Sequence, residues 1–272
     1  MRKYNVLDQI QINYPQFSVR EKEIANFVLE NKGSILNINI KDLAVKTNSS
    51  TSTVTRFCKK IECSSFMEFK VMLNRELEGA KDHKNSFGKV ESFYQQVVDS
   101  TVSLIDRDQV TTVVQMIKEA EKILVFGIGS SGLTALELKY RLMRMGLIVD
   151  AVIDPHMMLM GSSLAGEKDL VICISNSGNT EEIIKAAGIA RQNGGKIVSI
   201  TNHDHTPLTN LSEEVLFTSS TKILNDDQFI NSQLSILYVL DVISLLLLED
   251  EDLRAKRDKT LNVIHAMREE GQ

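Results

Sequence analysis

Two hydroxyl-rich segments carry the residue types best suited to chemistry. Ser130 and Ser131 sit in Gly127-Ile128-Gly129-Ser130-Ser131-Gly132, directly after the apolar run Ile123-Leu124-Val125-Phe126. Ser175-Asn176-Ser177-Gly178-Asn179-Thr180 follows a second such run, Leu170-Val171-Ile172-Cys173-Ile174. A short β-branched run that ends in Gly, Ser and Thr before a helical pattern reads as a buried parallel strand, a tight turn and a helix N-terminus. Backbone N–H groups at such a start have no intrahelical partner, and the helix dipole favours an anion there. Serine and threonine hydroxyls add donors without adding charge. Either segment alone could be a turn capping its own helix. The two together suggest one pocket for a phosphorylated ligand.

A second reading uses the first segment alone. Gly127-x-Gly129-x-x-Gly132 has the dinucleotide-binding spacing, and Asp150 lies about where a ribose-binding acid would stand. That chemistry needs the close approach of glycines at one loop. It has no use for a second Ser/Thr loop after a later strand, so it ranks below the phosphate pocket.

A third group of residues is basic. Residues 1–80 hold 12 Lys and Arg against 9 Asp and Glu, whereas the remainder holds 19 against 27. A mildly basic N-terminal segment on an acidic body directs attention to nucleic acid at that end. Within it, Asn48-Ser49-Ser50 reads as a turn and Ser50 as the N-cap of a helix. Val54, Phe57, Cys58 and Ile61 form one apolar stripe on that helix. Ser52, Thr53, Thr55, Arg56, Lys59 and Lys60 fall outside the stripe. Small hydroxyls at a helix start, with cations one turn on, suit entry into a DNA groove and contact with phosphates. A solvated basic face on a small bundle is the alternative.

The elements that must position these residues follow from periodicity. The N-terminal part reads as all helix. Ser18-x-x-Glu21 has capping-box spacing before Ile24, Phe27 and Val28. A short helix over 40–46 precedes the turn, and Phe66, Phe69, Val71 and Leu73 continue in a further helical segment. Residues 90–105 and 109–121 are helical, and strands are predicted over 122–127, 147–152, 169–174, 196–201 and 214–219. Helices over 133–145 and 181–193 lie between them, and a long apolar helix (229–248) and a charged helical tail follow. This rhythm predicts a five-stranded parallel doubly wound sheet of flavodoxin-like type, preceded by an all-α helix–turn–helix domain. In the order 2-1-3-4-5, strands 1 and 3 are neighbours across the switch point, so both hydroxyl loops would face one crevice. The expected boundaries are 1–78 for the helical domain, 79–89 for a polar linker, 90–249 for the sheet domain and 250–272 for the tail.

Composition narrows the class. No signal peptide is visible at the N-terminus, and the longest apolar stretch, 234–248, is too short for a membrane span and contains Asp241. Cys58, Cys63 and Cys173 are an odd number in apolar surroundings, which fits a reducing cytoplasm. Neither a metal site nor a cofactor is expected.

The two hydroxyl loops together resemble the sugar isomerase (SIS) domain, a phosphosugar-binding fold, over about 90–248. The resemblance implies that Ser130, Ser131, Ser175, Ser177 and Thr180 hold a phosphate, with Asn176 and Asn179 beside them. Ser52-Thr53-Val54-Thr55-Arg56-Phe57-Cys58-Lys59-Lys60, with Phe66-Met67-Glu68-Phe69-Lys70 after it, resembles the helix–turn–helix of RpiR-type transcriptional regulators. Those regulators join that module to an SIS domain in this order. The resemblance implies a double-stranded DNA operator, a sugar phosphate effector and a homodimer or higher homo-oligomer. Two positions depart from the family pattern. Glu62 replaces a usual glycine after the recognition helix; a positive φ would be strained there, which places the helix end later. Ser49 replaces a usual apolar residue, which weakens packing beneath the turn.

SIS isomerases also need a general base. Glu181, Glu182, His203, His205, Asp226 and Asp227 are the available groups. Glu181 and Glu182 open a helix and read as structural, the histidines read as a polar loop, and Asp226-Asp227 stands where many SIS proteins carry a glutamate. The expectation is therefore a regulator without catalytic residues, the alternative a phosphosugar isomerase with a helical appendage. The stripe of Leu234, Ile236, Leu237, Leu240, Val242, Ile243 and Leu246 could pack subunits together or form an internal core helix.

Overall fold

The computed structural model describes residues 5–78, 86–220 and 233–269. The chain forms two compact units. One holds residues 1–104 with 202–206 and 217–235, the other 105–201, 207–216 and 236–272.

The first unit is helical. Helices α1 (Val6–Asn13), α2 (Val19–Glu30), α3 (Lys32–Ile35), α4 (Ile40–Lys46), α5 (Thr51–Lys60), α6 (Phe66–Glu78) and α7 (Ser86–Leu104) follow in order. Ser18 and Glu21 form the expected capping box at α2, and Asn39 with Asp42 forms a second at α4. Val54, Phe57, Cys58 and Ile61 are buried with Ile24, Val28, Leu43, Phe69 and Leu73. Phe57 sits at the centre, its ring centroid 5.2 Å from Phe17 and 6.4 Å from Phe69. Each such side chain contributes about 1.5–3 kcal/mol by leaving water. Phe66, Phe69, Val71 and Leu73 lie on α6 as expected, with Phe69 and Leu73 buried and Val71 exposed. Helix α7 starts at Ser86, so 86–89 of the expected linker are helical, while 79–85 lie outside the described residues.

The second unit is a five-stranded parallel sheet, β1 (Lys122–Gly127), β2 (Val149–Val152), β3 (Asp169–Ile174), β4 (Lys196–Thr201) and β5 (Glu214–Phe217), in the order β2-β1-β3-β4-β5. Helices α8 (Arg107–Glu119), α9 (Ser130–Arg144), α10 (Pro155–Ser163), α11 (Glu181–Gln192), α12 (Leu234–Leu247) and α13 (Glu251–Glu269) accompany it. Alternate side chains of each strand enter separate cores. Ile123, Val125 and Ile172 pack with α8, α9 and α12, whereas Leu124, Phe126 and Cys173 pack with α10 and α11. Ile236, Leu240, Ile243 and Leu247 are fully buried in the first of these cores, and Leu237, Val242 and Leu246 pack against it. Helix α12 is thus an internal core helix, which decides between the two readings of its apolar stripe. Asp241, on its outer side, meets Arg141 at 2.5 Å.

Strands β1, β3 and β4 have the predicted bounds, but β2 starts at Val149 and β5 ends at Phe217. Helix α9 starts at Ser130, not 133, so Ser130 and Ser131 open the helix itself. Cys58, Cys63 and Cys173 are buried free thiols, and burial pushes the Cys58 thiol up to about 12. No helix among the described residues is long and apolar enough to cross a membrane.

Candidate anion site and nucleic-acid interface

The β1–α9 turn is closed by glycine. A Cβ on Gly127 would lie 2.4 Å from the Ser131 carbonyl oxygen, so the helix can fold back over the strand end only with glycine there. Gly129, at φ 62°, is the N-cap and carries no side chain to bond the first-turn amides. The register of β1 on β3 pairs Gly127 with Ile174, which sets Ser130 and Ser131 beside the loop that starts at Ser175.

That second loop is held by its own polar groups. The Ser175 amide donates to the Ile200 carbonyl at 3.1 Å, and the Ser175 and Thr180 hydroxyls are 3.0 Å apart. Gly178 turns the chain at φ 64°, and its amide donates to the Ser175 carbonyl at 3.1 Å. Ser177 Oγ accepts from the Asn179 amide at 3.2 Å, and Asn179 Nδ2 donates to the Ser177 carbonyl at 2.8 Å. Thr180 is the N-cap of α11, yet its hydroxyl makes no capping bond. The Asn176 Oδ1 atom is buried and lacks a hydrogen-bond partner among the described residues. Among the described helices of this unit, α8 and α10 are capped by Asp106 and Asp154. Helices α9 and α11, which begin at the hydroxyl loops, have no side-chain cap. Two helix starts and two sets of hydroxyls therefore lie at the carboxyl ends of adjacent strands, where an anion is favoured.

One contributor has no counterpart in the sequence reading. Thr201, the last residue of β4, donates its hydroxyl to the Asn176 carbonyl at 3.4 Å. A threonine closing a strand next to a ligand loop is the signal that could have found it.

The other candidate groups lie elsewhere. Asp150 is paired with Leu124 in mid-strand, and its carboxylate is 2.7 Å from Lys139 Nζ, away from the strand ends a dinucleotide would use. Glu181 and Glu182 are exposed, with Glu181 3.5 Å from Lys185. His203 Nδ1 lies 3.1 Å from the Gln11 carbonyl oxygen, and His205 adopts φ 54°. Asp226 and Asp227 lie outside the described residues. No group of three metal-ligating side chains occurs among the described residues.

In the helical unit, α4 and α5 enclose the predicted turn. Asn48 takes φ 45°, and Ser50 Oγ accepts from the Thr53 amide at 3.2 Å as N-cap of α5. Ser49 is half-buried, and its hydroxyl is 2.9 Å from that of buried Thr47. A hydroxyl pair thus fills the place of the usual apolar contact. Glu62 does adopt positive φ, 57°, and α5 ends before it. The expected later ending is overturned because the Glu62 and Cys63 amides close a Schellman motif on the Lys59 and Cys58 carbonyls, at 3.2 and 2.9 Å.

Ser50, Ser52, Arg56 and Lys59 are exposed on α5. Arg56 donates to Thr53 Oγ1 at 3.3 Å, and Thr55 Oγ1 donates to the Thr51 carbonyl at 2.9 Å. Lys60 is drawn the other way: its ammonium sits 2.8 Å from Glu21, the buried acid of the α2 capping box. Burial raises the Glu21 carboxyl, but Lys60 and the Ser18 bonds outweigh it and hold the group below its usual range.

The rpiR-family helix–turn–helix domain matches residues 4–80, and the SIS domain matches residues 116–244. An HTH-type transcriptional regulator of Haemophilus influenzae is 32% identical over 277 residues, covering 96% of each chain. The Vibrio vulnificus NanR protein, solved in complex with ManNAc-6P, superimposes with a TM-score of 0.63 at 29% identity, covering 97% of this chain and 99% of its own. The sugar isomerase domain of an RpiR transcription factor from Sphaerobacter thermophilus shares the fold, with a TM-score of 0.59 at 16% identity over 64% of this chain and 97% of its own. The chain belongs to the RpiR family of HTH-type transcriptional regulators, with an N-terminal helix–turn–helix and a C-terminal SIS domain.

Proposed function

We propose that this regulator acts in the cytoplasm, binds an operator through α5 and senses a sugar phosphate between the starts of α9 and α11. The observation that carries the ligand reading is the pair of uncapped helix N-termini beside hydroxyls on adjacent strands. Ser130, Ser131, Ser175, Ser177 and Thr180 supply hydroxyls to the phosphate, and Asn176 and Asn179 lie beside them. NanR, whose structure contains ManNAc-6P, supports an amino-sugar phosphate as the first ligand to try.

On the DNA side, Ser50, Ser52, Thr53, Thr55, Arg56 and Lys59 face the groove, while Lys60 is held by Glu21 until DNA competes for it. A second copy of the chain supplies the second half-site contact. Leu133, Tyr140 and Met143 on α9, and Met157 and Met160 on α10, are exposed apolar side chains on the helices flanking edge strand β2, and they suit that association. Regulation requires the ligand to favour one of two arrangements of the assembly, not merely to bind tightly.

The test is binding of the purified protein to DNA from upstream of its own gene, at fixed salt, with ManNAc-6P and a panel of hexose 6-phosphates. Salt is held constant because phosphate contacts release counterions. A sugar phosphate that changes specific DNA affinity supports the reading. Turnover of the same sugar phosphates would replace it with the isomerase alternative.

A further inference from the structure

Helix α1 has eight residues, too few to hold a helix in water unaided. Asp8, Gln9 and Gln11 within it are nevertheless buried. Both ends of this helix receive bonds from residues distant in sequence. Glu76 of α6 accepts from the Val6 and Leu7 amides at 2.5 and 3.3 Å. Asp8 accepts from the Ser100 and Ser103 hydroxyls of α7, both at 2.5 Å. At the other end, His203 Nδ1 lies 3.1 Å from the Gln11 carbonyl oxygen, and the Asp204 amide donates to the Ile12 carbonyl at 3.3 Å.

Gln11 is the most fully engaged of these. Its side chain has no exposure. Nε2 donates to the backbone carbonyls of Asn202 at 2.6 Å and Thr218 at 2.8 Å, and Oε1 accepts from the Ser220 amide at 2.9 Å. Both amide hydrogens and the carbonyl are used, so a small shift of either carbonyl breaks a buried bond with no water to replace it. All of these residues lie in the first compact unit. Asn202 follows Thr201 directly in the chain, and Thr201 holds the Asn176 carbonyl of the anion loop. One peptide bond separates a residue bonded to the ligand loop from a residue bonded to α1. On its apolar side α1 places Val6 and Ile10 in the same core as Val54 and Phe57 of α5.

We propose that Gln11 is a positioning residue that transmits occupancy of the anion site to the DNA-binding helices, by reading the carbonyls of Asn202 and Thr218. This rests on the sugar-phosphate reading above. A helix needed only for packing would be served by apolar side chains at these buried positions. A buried amide satisfied in one geometry instead makes this contact sensitive to small shifts of the Asn202 and Thr218 carbonyls, as a coupling element requires.

The test uses the full chain and the fold-change in DNA affinity caused by saturating ManNAc-6P or the active hexose 6-phosphate, in wild type, Gln11→Ala and His203→Ala. Ligand affinity and ligand-free DNA affinity are measured alongside. Wild type is expected to respond by about 5- to 150-fold, and Gln11→Ala by less than about 2-fold, while both separate affinities stay near wild type. His203→Ala, which loses the contact of Nδ1 with the Gln11 carbonyl, is the check if Gln11→Ala does not fold, and its response falls at least by half. Variants that keep the wild-type response would overturn the proposal, as would a wild type that binds the sugar phosphate without any change in DNA affinity. Failure of every sugar phosphate to bind wild type would instead remove the reading beneath it.

Discussion

In the helical unit, Ser18, Asn39 and Ser50 cap α2, α4 and α5 with their own side chains, and Glu76 lends its carboxylate to α1. In the sheet unit, α9 and α11 begin at Gly129 and Thr180 with no side-chain cap. The same physical need, partners for the first amides of a helix, is met by side chains at these helices of the first unit and by none at α9 and α11. The difference separates two kinds of recognition. On the proposed reading, DNA is met by side chains projecting from a helix capped by its own Ser50. On the proposed reading, the anion is met at helix starts that carry no side-chain cap.

Filling an open end tests this contrast most severely. Thr180→Asp would place a carboxylate where the phosphate is to sit, as Glu76 sits at α1. Repulsion between two anions at close range predicts weakening of sugar-phosphate binding on the order of 100-fold or more, read by calorimetric titration. The melting temperature should hold or rise, because aspartate is a good N-cap. A variant that binds ligand as before would place the site elsewhere.

On the DNA side, Arg56→Ala removes a cation from a helix that stays capped. The expected loss is about 1–3 kcal/mol of operator binding, with sugar-phosphate affinity unchanged. A loss of both in a folded protein would show that the two regions are not separable in this way.

Emptying the filled end is the converse experiment. Glu76→Ala leaves the Val6 and Leu7 amides without their acceptor and should cost about 1–3 kcal/mol in denaturant unfolding. Burial pushes the Glu76 carboxyl up to about 7, with Asp8 adding to the rise and its bonds to Val6 and Leu7, and then Lys32, opposing it. The raised group binds its proton more tightly folded than unfolded. Its contribution is complete below the ordinary value of 4.5 and is lost as pH rises through about 7. Glu76→Gln, which cannot titrate, should flatten the fall in stability over that window; an unchanged slope would assign it to Asp8, which burial also raises.

The smallest effect concerns the end of α5. Glu62→Gly relieves positive φ in the Schellman turn at some cost in chain entropy, so a gain of about 0.5–1 kcal/mol is expected without change in DNA affinity.

What could be read from the sequence follows the same division. Strands β1, β3 and β4 were legible because both faces are buried and their apolar runs are unbroken. The hydroxyl loops and the α4–α5 turn were legible because local chemistry specifies them: Gly127 for a close approach, Ser50 for a cap. Helix α1 was not, since the burial of Asp8 and Gln11 depends on α7 and on residues 202 and 218, about two hundred positions away in the latter case. Helix α10 escaped because Met157, Met158, Leu159 and Met160 run together without a polar face. The role of Lys60 was visible only once Glu21 was seen beside it. Residues whose partners are sequence neighbours announce themselves; residues partnered across the fold do not.

The most direct test of the open-end account is hydrogen exchange of the full chain with and without ManNAc-6P or whichever hexose 6-phosphate binds. The account predicts slowed exchange at the first-turn amides of α9 and α11 and in the 175–180 loop, and no slowing at the capped starts of α8 and α10. Binding that protects the capped helix starts, or leaves α9 and α11 exchanging as before, would contradict it.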